Sequence, residues 1–243
     1  MKRAFDAVAA AVGLLVVSPL LLAIILLIWL QDCHHPFYVA PRVGRGGRTF
    51  KMVKLRSMVV NADRAGGDST SATDSRITTI GKIVRRTKLD EVMQLWNVLL
   101  GDMSLVGPRP NVKRETDLYT AEERRMLEIK PGITDFASIV FADEGDILSD
   151  SADPDLDYAQ LIRPWKSRLG LLYLERRSLF LDINLIALTL LGILSRRKAL
   201  DAVVRKLERL GASSDLIDVS ARTRPLRPAP PPGSDTIVTS RAA

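Results

Sequence analysis

The chain has 243 residues and a formal net charge of +7, and 47% of its residues are hydrophobic but only 5% aromatic. That length bounds it to one domain, or one domain with appendages, packed mainly by aliphatic side chains. A single cysteine, Cys33, excludes an internal disulfide, and the basic balance points to anionic partners such as a lipid surface, phosphorylated substrates or nucleic acid.

From Val8 to Leu30 an apolar run is interrupted only by Gly13, Ser18 and Pro19, close to the roughly 20 residues that cross a bilayer core. The run exceeds the apolar region of a cleaved signal peptide, and no small-residue cleavage site follows it. Pro19 cannot donate its backbone N–H, while Ser18 can help satisfy the carbonyl this frees. A kinked spanning helix tolerates that pair too, so the flanks decide. Lys2 and Arg3 lie on one side, and Arg42, Arg45, Arg48 and Lys51 on the other. Cytoplasmic segments collect such residues, so the expectation is a re-entrant helix over residues 1–32, bent at Ser18 and Pro19. Cys33, His34 and His35 follow; without further soft ligands they read as an interfacial linker rather than a metal site.

Thr49 to Leu55 suits a short strand with Phe50, Met52 and Val53 facing inward. Lys51, Lys54 and Arg56 then present charge together, either as a solvated basic face near acidic lipid or as a cationic wall for a diphosphate. Residues 61–75 are rich in Gly, Ser and Thr and predict a mobile loop that could serve as a lid.

Thr78 to Arg86 predicts a short helix. Thr87 is a candidate N-cap for the next one, with Asp90 in the capping-box position. Leu89, Val92, Trp96 and Leu99 form its expected buried face, and Gly101 its stop. Asp90 and Glu91 therefore fall in a first helical turn, where ordinary capping explains acidic residues. Two adjacent carboxylates nevertheless repel, and nearby cations, either arginines or a divalent metal, are needed to keep both ionised. Adjacent helical residues also point about 100° apart, so the two can serve different partners. The turn Gly107-Pro108-Arg109-Pro110 fixes two φ angles around one arginine, which suits a guanidinium held against phosphate.

The order R-x-x-x-L-D-E-x-x-Q-L-x-N-V-L-x-G-x-M-S-L-V-G-P-R-P (Arg85 to Pro110) resembles the bacterial sugar transferase family of small monotopic phosphoglycosyl transferases. The basic Lys54 to Met58 segment, Pro131-Gly132-Ile133-Thr134 and the Ser18-Pro19 helix extend the match over roughly residues 1–195. The resemblance implies transfer of a sugar phosphate from a UDP-sugar to polyprenol (undecaprenyl) phosphate, releasing UMP, as a first membrane step of polysaccharide or glycoconjugate synthesis that downstream glycosyltransferases continue. It implies Asp90 as nucleophile of a covalent phospho-sugar intermediate and Glu91 as a ligand of Mg²⁺. It also implies a bacterial inner membrane location with the catalytic domain on the cytoplasmic face. Lys54, Arg56, Arg85 and Arg109 are the candidates for screening the diphosphate. Two departures stand out. Met93 replaces a usual proline and predicts a straighter helix; Asp135 to Asp146 differs from the usual pattern, which bears on donor choice.

Thr120 predicts a cap for residues 121–129, with Glu123 completing a capping box. Ile133 to Phe141 reads as a strand, and the acidic residues 143–157 as a solvated loop rather than a metal site. Pro164 starts a helix to Arg177. Asp182 to Leu194 is apolar but too short to span, fitting either core packing or interfacial docking. The expected architecture is α-rich α+β: the re-entrant membrane helix, a compact cytoplasmic catalytic domain over 33–198 with interfacial amphipathic helices, a basic amphipathic helix over 199–220, and a disordered Pro-rich tail over 221–243. With nothing polytopic ahead of residue 1, it reads as a minimal catalytic form plus a tail. A non-catalytic membrane-anchored basic module binding lipid or an enzyme partner is the competing reading. Nucleic-acid binding lacks a recognisable module.

Overall fold

A computed structural model describes residues 1–62 and 74–240. Most of the lid expected over 61–75 lies outside these residues. Helix α1 (Lys2–Asp32) leads into an antiparallel hairpin, β1 (Phe37–Val43) and β2 (Thr49–Leu55), registered from Phe37 against Leu55 to Val43 against Thr49. Helices α2 (Thr79–Arg86), α3 (Leu89–Val92) and α4 (Gln94–Leu100) follow. Strand β3 (Ser104–Val106) then pairs in parallel with β4 (Gly132–Thr134), across α5 (Lys113–Asp117) and a 3₁₀ turn at Glu123–Glu128. The rest is helical: α6 (Phe136–Val140), α7 (Glu144–Ile147), α8 (Pro154–Asp157), α9 (Arg163–Arg176), α10 (Leu179–Leu194), α11 (Arg196–Arg209) and α12 (Ser214–Ala221). This is a mostly helical α+β fold, as expected.

Among the described residues, α1 is the one helix long and apolar enough to cross a membrane. It continues through Pro19 without interruption. The Ser18 hydroxyl donates to the Leu15 carbonyl at 2.8 Å, the acceptor that an N–H at position 19 would have used. So the expected break is no gap in the helix. Both ends of α1 are tied to the same folded body. At the start, Lys2 Nζ meets Asp182 at 2.5 Å, Arg3 donates to the carbonyls of Val98 and Leu99, and buried Asp6 accepts from Ser104 Oγ at 2.9 Å. At the end, Asp32 is gripped by Arg56 at 2.5 and 2.6 Å. Between them Leu21, Ile24 and Ile28 form an i, i+3, i+7 stripe against Leu55 and Val84, while Val8, Val12, Leu15, Val16, Leu22 and Leu26 stay exposed.

The main core joins α6, α9, α10 and α11 through Phe136, Val140, Leu169, Leu185 and Val203. Tyr173 is fully buried there, and its hydroxyl donates to Asp182 at 2.6 Å, so the contact that fixes the start of α1 is anchored in the core. One face of α10 packs inward at Leu181, Leu185 and Leu188, and the other exposes Phe180, Ile183, Leu190 and Ile193. The helix thus packs in the core and keeps an exposed apolar face. The predicted capping box is formed reciprocally: Glu123 N donates to Thr120 Oγ1 at 3.1 Å, and Thr120 N to Glu123 at 3.0 Å. Glu123 is also buried against Arg163 at 2.5 Å and Ser167 at 2.7 Å.

Four local expectations are corrected. Thr87 does not cap α3; its hydroxyl turns back to Ile83 O at 2.8 Å, and Lys88, left-handed at φ 58°, takes the cap position. The helix is interrupted at Met93 despite the missing proline, because Trp96 N bonds Met93 O, one residue tighter than the α pattern. As a result Gln94, Asn97 and Val98 face inward and Trp96 is exposed. The strand expected over 133–141 stops at Thr134, where Asp135 accepts from Ser138 N at 2.7 Å and starts α6. The tail expected to be disordered lies along the domain: Ala229 N bonds Gln160 O at 3.0 Å, Arg168 donates to Pro230 O at 2.9 Å, and Thr120 to Pro232 O at 2.5 Å. Its prolines fix an extended backbone whose carbonyls these side chains find without further ordering.

Candidate active site

Strand β2, helix α3 and the turn after β3 converge on one cleft of about 1850 Å³. The turn is positioned from both sides. Gly107 N bonds Thr134 O, Gly132 N bonds Pro108 O, and Val43 N bonds Asn111 O. A Cβ on Gly132 would lie 2.0 Å from Gly107 N, and one on Gly107 2.6 Å from Lys130 O, so only glycine permits this approach. Arg109 is thereby fixed between β4 and β1. Asn97, which sequence reasoning did not single out, stitches α4 to β2: its amide donates to Lys51 O at 2.7 Å and accepts from Val53 N at 2.9 Å. A lone asparagine among Leu, Trp and Val in a predicted helix was the available signal, since such a residue, once buried, needs partners.

Within the cleft Arg109 Nη2 meets Glu91 Oε1 at 2.5 Å, and Lys54 Nζ reaches the same oxygen at 4.0 Å. Burial alone would raise the Glu91 carboxyl, but Arg109 and then Lys54 outweigh it and hold it at about 2. Asp90 goes the other way. Burial first, then the Glu91 charge beside it, push its carboxyl up, against the pull of Lys54, Arg109 and Arg85. Asp90 Oδ1 is buried and has no hydrogen-bond partner among the described residues. Lys54 is brought down to about 8, by burial first and then by repulsion from Arg109. Arg109 is held all the more firmly charged, by Glu91 above all. Two neighbouring carboxylates are thus driven apart, one satisfied and one unmatched.

Of the predicted site residues, Asp90, Glu91, Lys54, Arg85 and Arg109 line this cleft. Arg56 lines it as well, but its guanidinium is committed elsewhere. Every guanidinium nitrogen already donates, to Asp32 and to the carbonyls of Ile28, His34 and His35, so it pins the end of α1 and its expected role on the diphosphate is withdrawn. Ser18 and Pro19 lie within α1. The residues Thr134, Asp135, Ser138, Asp143, Glu144, Tyr158 and Lys166 also line the cleft; sequence reasoning noted Thr134 within a matching motif and Asp135 to Asp146 as a departure from a pattern, and did not single out Tyr158 or Lys166. No group of three or more His, Cys, Asp or Glu side chains able to cage a metal occurs among the described residues. The ionised Glu91 carboxylate, lining a cleft open to substrate phosphates, nevertheless suits an ion of the Mg²⁺ kind, which one or two carboxylates share with phosphates and water.

Residues 1–196 match the family model described as bacterial sugar transferase. The UDP-N-acetylgalactosamine-undecaprenyl-phosphate N-acetylgalactosaminephosphotransferase of Aeromonas hydrophila is 32% identical over 198 residues, covering 80% of this chain and 44% of that protein. The exopolysaccharide production protein ExoY of Rhizobium meliloti is 33% identical over 204 residues, covering 78% of this chain and 83% of the relative. The UDP-glucose:undecaprenyl-phosphate glucose-1-phosphate transferase of Caulobacter vibrioides is 36% identical over 172 residues, 68% of this chain and 64% of the relative. This chain therefore spans less than half the length of the Aeromonas protein but most of ExoY. With the family model covering four-fifths of its residues and the carboxylate pair, the Gly-Pro-Arg-Pro turn and the apolar helix in place, the chain belongs to the bacterial sugar transferase family.

Proposed function

We propose that the protein transfers a sugar phosphate from a UDP-sugar to polyprenol phosphate at a membrane surface. The observation that carries this is the split between Asp90, with a buried unpartnered oxygen, and Glu91, neutralised by Arg109 and Lys54. Asp90 Oδ1 attacks the phosphorus that bears the sugar. The bond from that phosphorus to the bridging oxygen breaks, UMP leaves with the electron pair, and a sugar phosphate is left esterified to Asp90. A phosphate oxygen of the polyprenol phosphate then attacks the same phosphorus and frees the carboxylate, giving polyprenyl diphosphate-sugar. Arg109, Lys54 and Arg85 screen the negative charge that would otherwise repel the attacking carboxylate. Glu91, with the donor phosphates, would hold Mg²⁺, which supplies further neutralisation at the diphosphate.

The ends of α1 bear on the membrane geometry. A helix of 31 residues is roughly 46 Å long at 1.5 Å per residue, and a straight span would put its ends on opposite sides. Lys2 and Asp32 are instead bound to one body, through Asp182 and Arg56. This supports a re-entrant helix with the catalytic domain on the cytoplasmic face of a bacterial inner membrane. UDP-sugars would reach the cleft from the cytosol, and glycosyltransferases would extend the lipid-linked product.

Asp90→Asn is expected to lower UMP release by at least about 1000-fold, since an amide cannot form the intermediate, while membrane association is retained. Full activity in that variant would remove Asp90 from the chemistry. Lys54 is cationic below pH about 8 and neutral above it, so donor affinity should fall as pH rises through 8. Lys54→Arg should abolish that fall, because arginine stays charged; an unchanged profile would sever Lys54 from donor binding. Single cysteines introduced at position 2 and at the exposed position 39 in a Cys33→Ser background should both react with an impermeant thiol reagent from the cytoplasmic side. Labelling from opposite sides would contradict re-entry.

A further inference from the structure

The cleft has a second polar cluster whose residues the transfer chemistry leaves unused. Lys166, on α9, forms an ion pair with Glu144, at the start of α7, and its ammonium lies 5.2 Å from the centre of the Tyr158 ring. All three line the same cleft as Asp90 and Arg109. The Arg109 charge is reinforced first by Glu91 and, more weakly, by Glu144, so the cluster is within electrostatic reach of the arginine that faces the carboxylate pair.

Charge separates the two ends. Lys54, Arg85 and Arg109 attract phosphates, whereas a carboxylate at Glu144 repels them and its ammonium partner already balances it. A neutral group rich in hydroxyls fits such a pair: a carboxylate accepts from two hydroxyls and an ammonium donates to another, over an aromatic face. In a UDP-sugar the sugar is joined directly to the attacked phosphorus, while the uracil lies a phosphate and a ribose further away.

The loop carrying Glu144 is held from outside the residues that the family model matches. Asp143 meets Arg196, the last matched residue, at 2.8 Å, and Arg222, beyond the match, at 3.1 Å, and the Arg222 guanidinium lies 5.6 Å from the Phe141 ring centre. Arg222 ends α12 in a left-handed conformation, φ 52°, an uncommon state for a side chain of that size, sustained where the surroundings demand it.

We propose that Glu144 and Lys166, with the Tyr158 ring, form the subsite that recognises the transferred sugar, and that Arg222, from the C-terminal extension, positions it through Asp143. This rests on the phosphoglycosyl-transfer reading above and deepens it: donor choice is set by a loop that an extension beyond the family core holds in place.

The test uses the full chain in lipid nanodiscs with polyprenol phosphate, comparing UDP-glucose, UDP-galactose and their N-acetylamino counterparts by UMP release. Glu144→Gln is expected to lower kcat/KM for the preferred donor about 30-fold or more, because a site built to bond a hydroxyl discriminates strongly through that bond. The ratio between that donor and its epimer should shrink at least about tenfold by the same logic. Inhibition by UDP, which has no sugar, should stay within about twofold of wild type. Lys166→Gln should act in the same direction and serves if the first variant fails to fold. Arg222→Gln should raise donor KM and narrow the same ratio with kcat largely kept, an effect that general loosening of the fold would not confine to donor choice. A uniform loss on all donors, or an equal weakening of UDP, would overturn the proposal. Wild-type protein that turns over no UDP-sugar would overturn the underlying reading first, before any variant is compared.

Discussion

The contact between Arg109 and Glu91 is the constraint around which the cleft is arranged. Two adjacent carboxylates in a half-buried site repel each other, and one must be neutralised for the other to remain available. A helix dipole could not do this, because α3 has only four residues and the macrodipole needs aligned turns. Neutralisation comes instead from a guanidinium held by two prolines and by two glycines that permit backbone contact between β3 and β4. Lys54 adds a second cation from β2, which Asn97 ties to α4. The chemistry therefore depends on the small parallel pair and the hairpin more than on any long helix.

The same elements connect the site to the apolar helix. Asp6 reaches β3 through Ser104, and Lys2 reaches Val106 O as well as Asp182. Leu55, at the end of the strand that bears Lys54, packs against Ile28 and Val84. A shift of α1 relative to the domain would disturb β2 and β3 together, so the apolar helix is part of the scaffold of the cleft as well as an anchor. Arg56 illustrates this: it lies two residues from Lys54, yet serves the helix end.

What the sequence made legible follows local rules. The hairpin strand, the helix from Thr79 to Arg86, the Gly101 stop and the Thr120–Glu123 capping box are each set by a few neighbouring residues, and all are present. The order of motifs from Arg85 to Pro110 and the apolar helix made the family legible as well. Failures came where distant groups compete. Thr87 could cap forward or bond backward, and the αL turn at Lys88 settled it. Apolar periodicity put Trp96 inward, but Asn97, needed by β2, rotated the helix. The proline-rich tail has a composition that resists a core of its own, yet it finds donors at Arg168 and Thr120 that no local pattern announces. Arg56 and Arg109 look alike as basic residues near a site; only their partners in space separate them.

The central claim is that Asp90, rather than Glu91, carries the sugar phosphate between donor and acceptor. It is tested most directly by mixing the protein with a UDP-sugar and Mg²⁺ without polyprenol phosphate, quenching, and measuring intact mass followed by peptide mapping. The account predicts an added mass equal to one sugar phosphate, acid- and base-labile, on the peptide containing Asp90, retained in Glu91→Gln at a lower rate and absent from Asp90→Asn. No adduct in the wild type while it still releases UMP once the acceptor is present, or an adduct that maps to another residue, would contradict it.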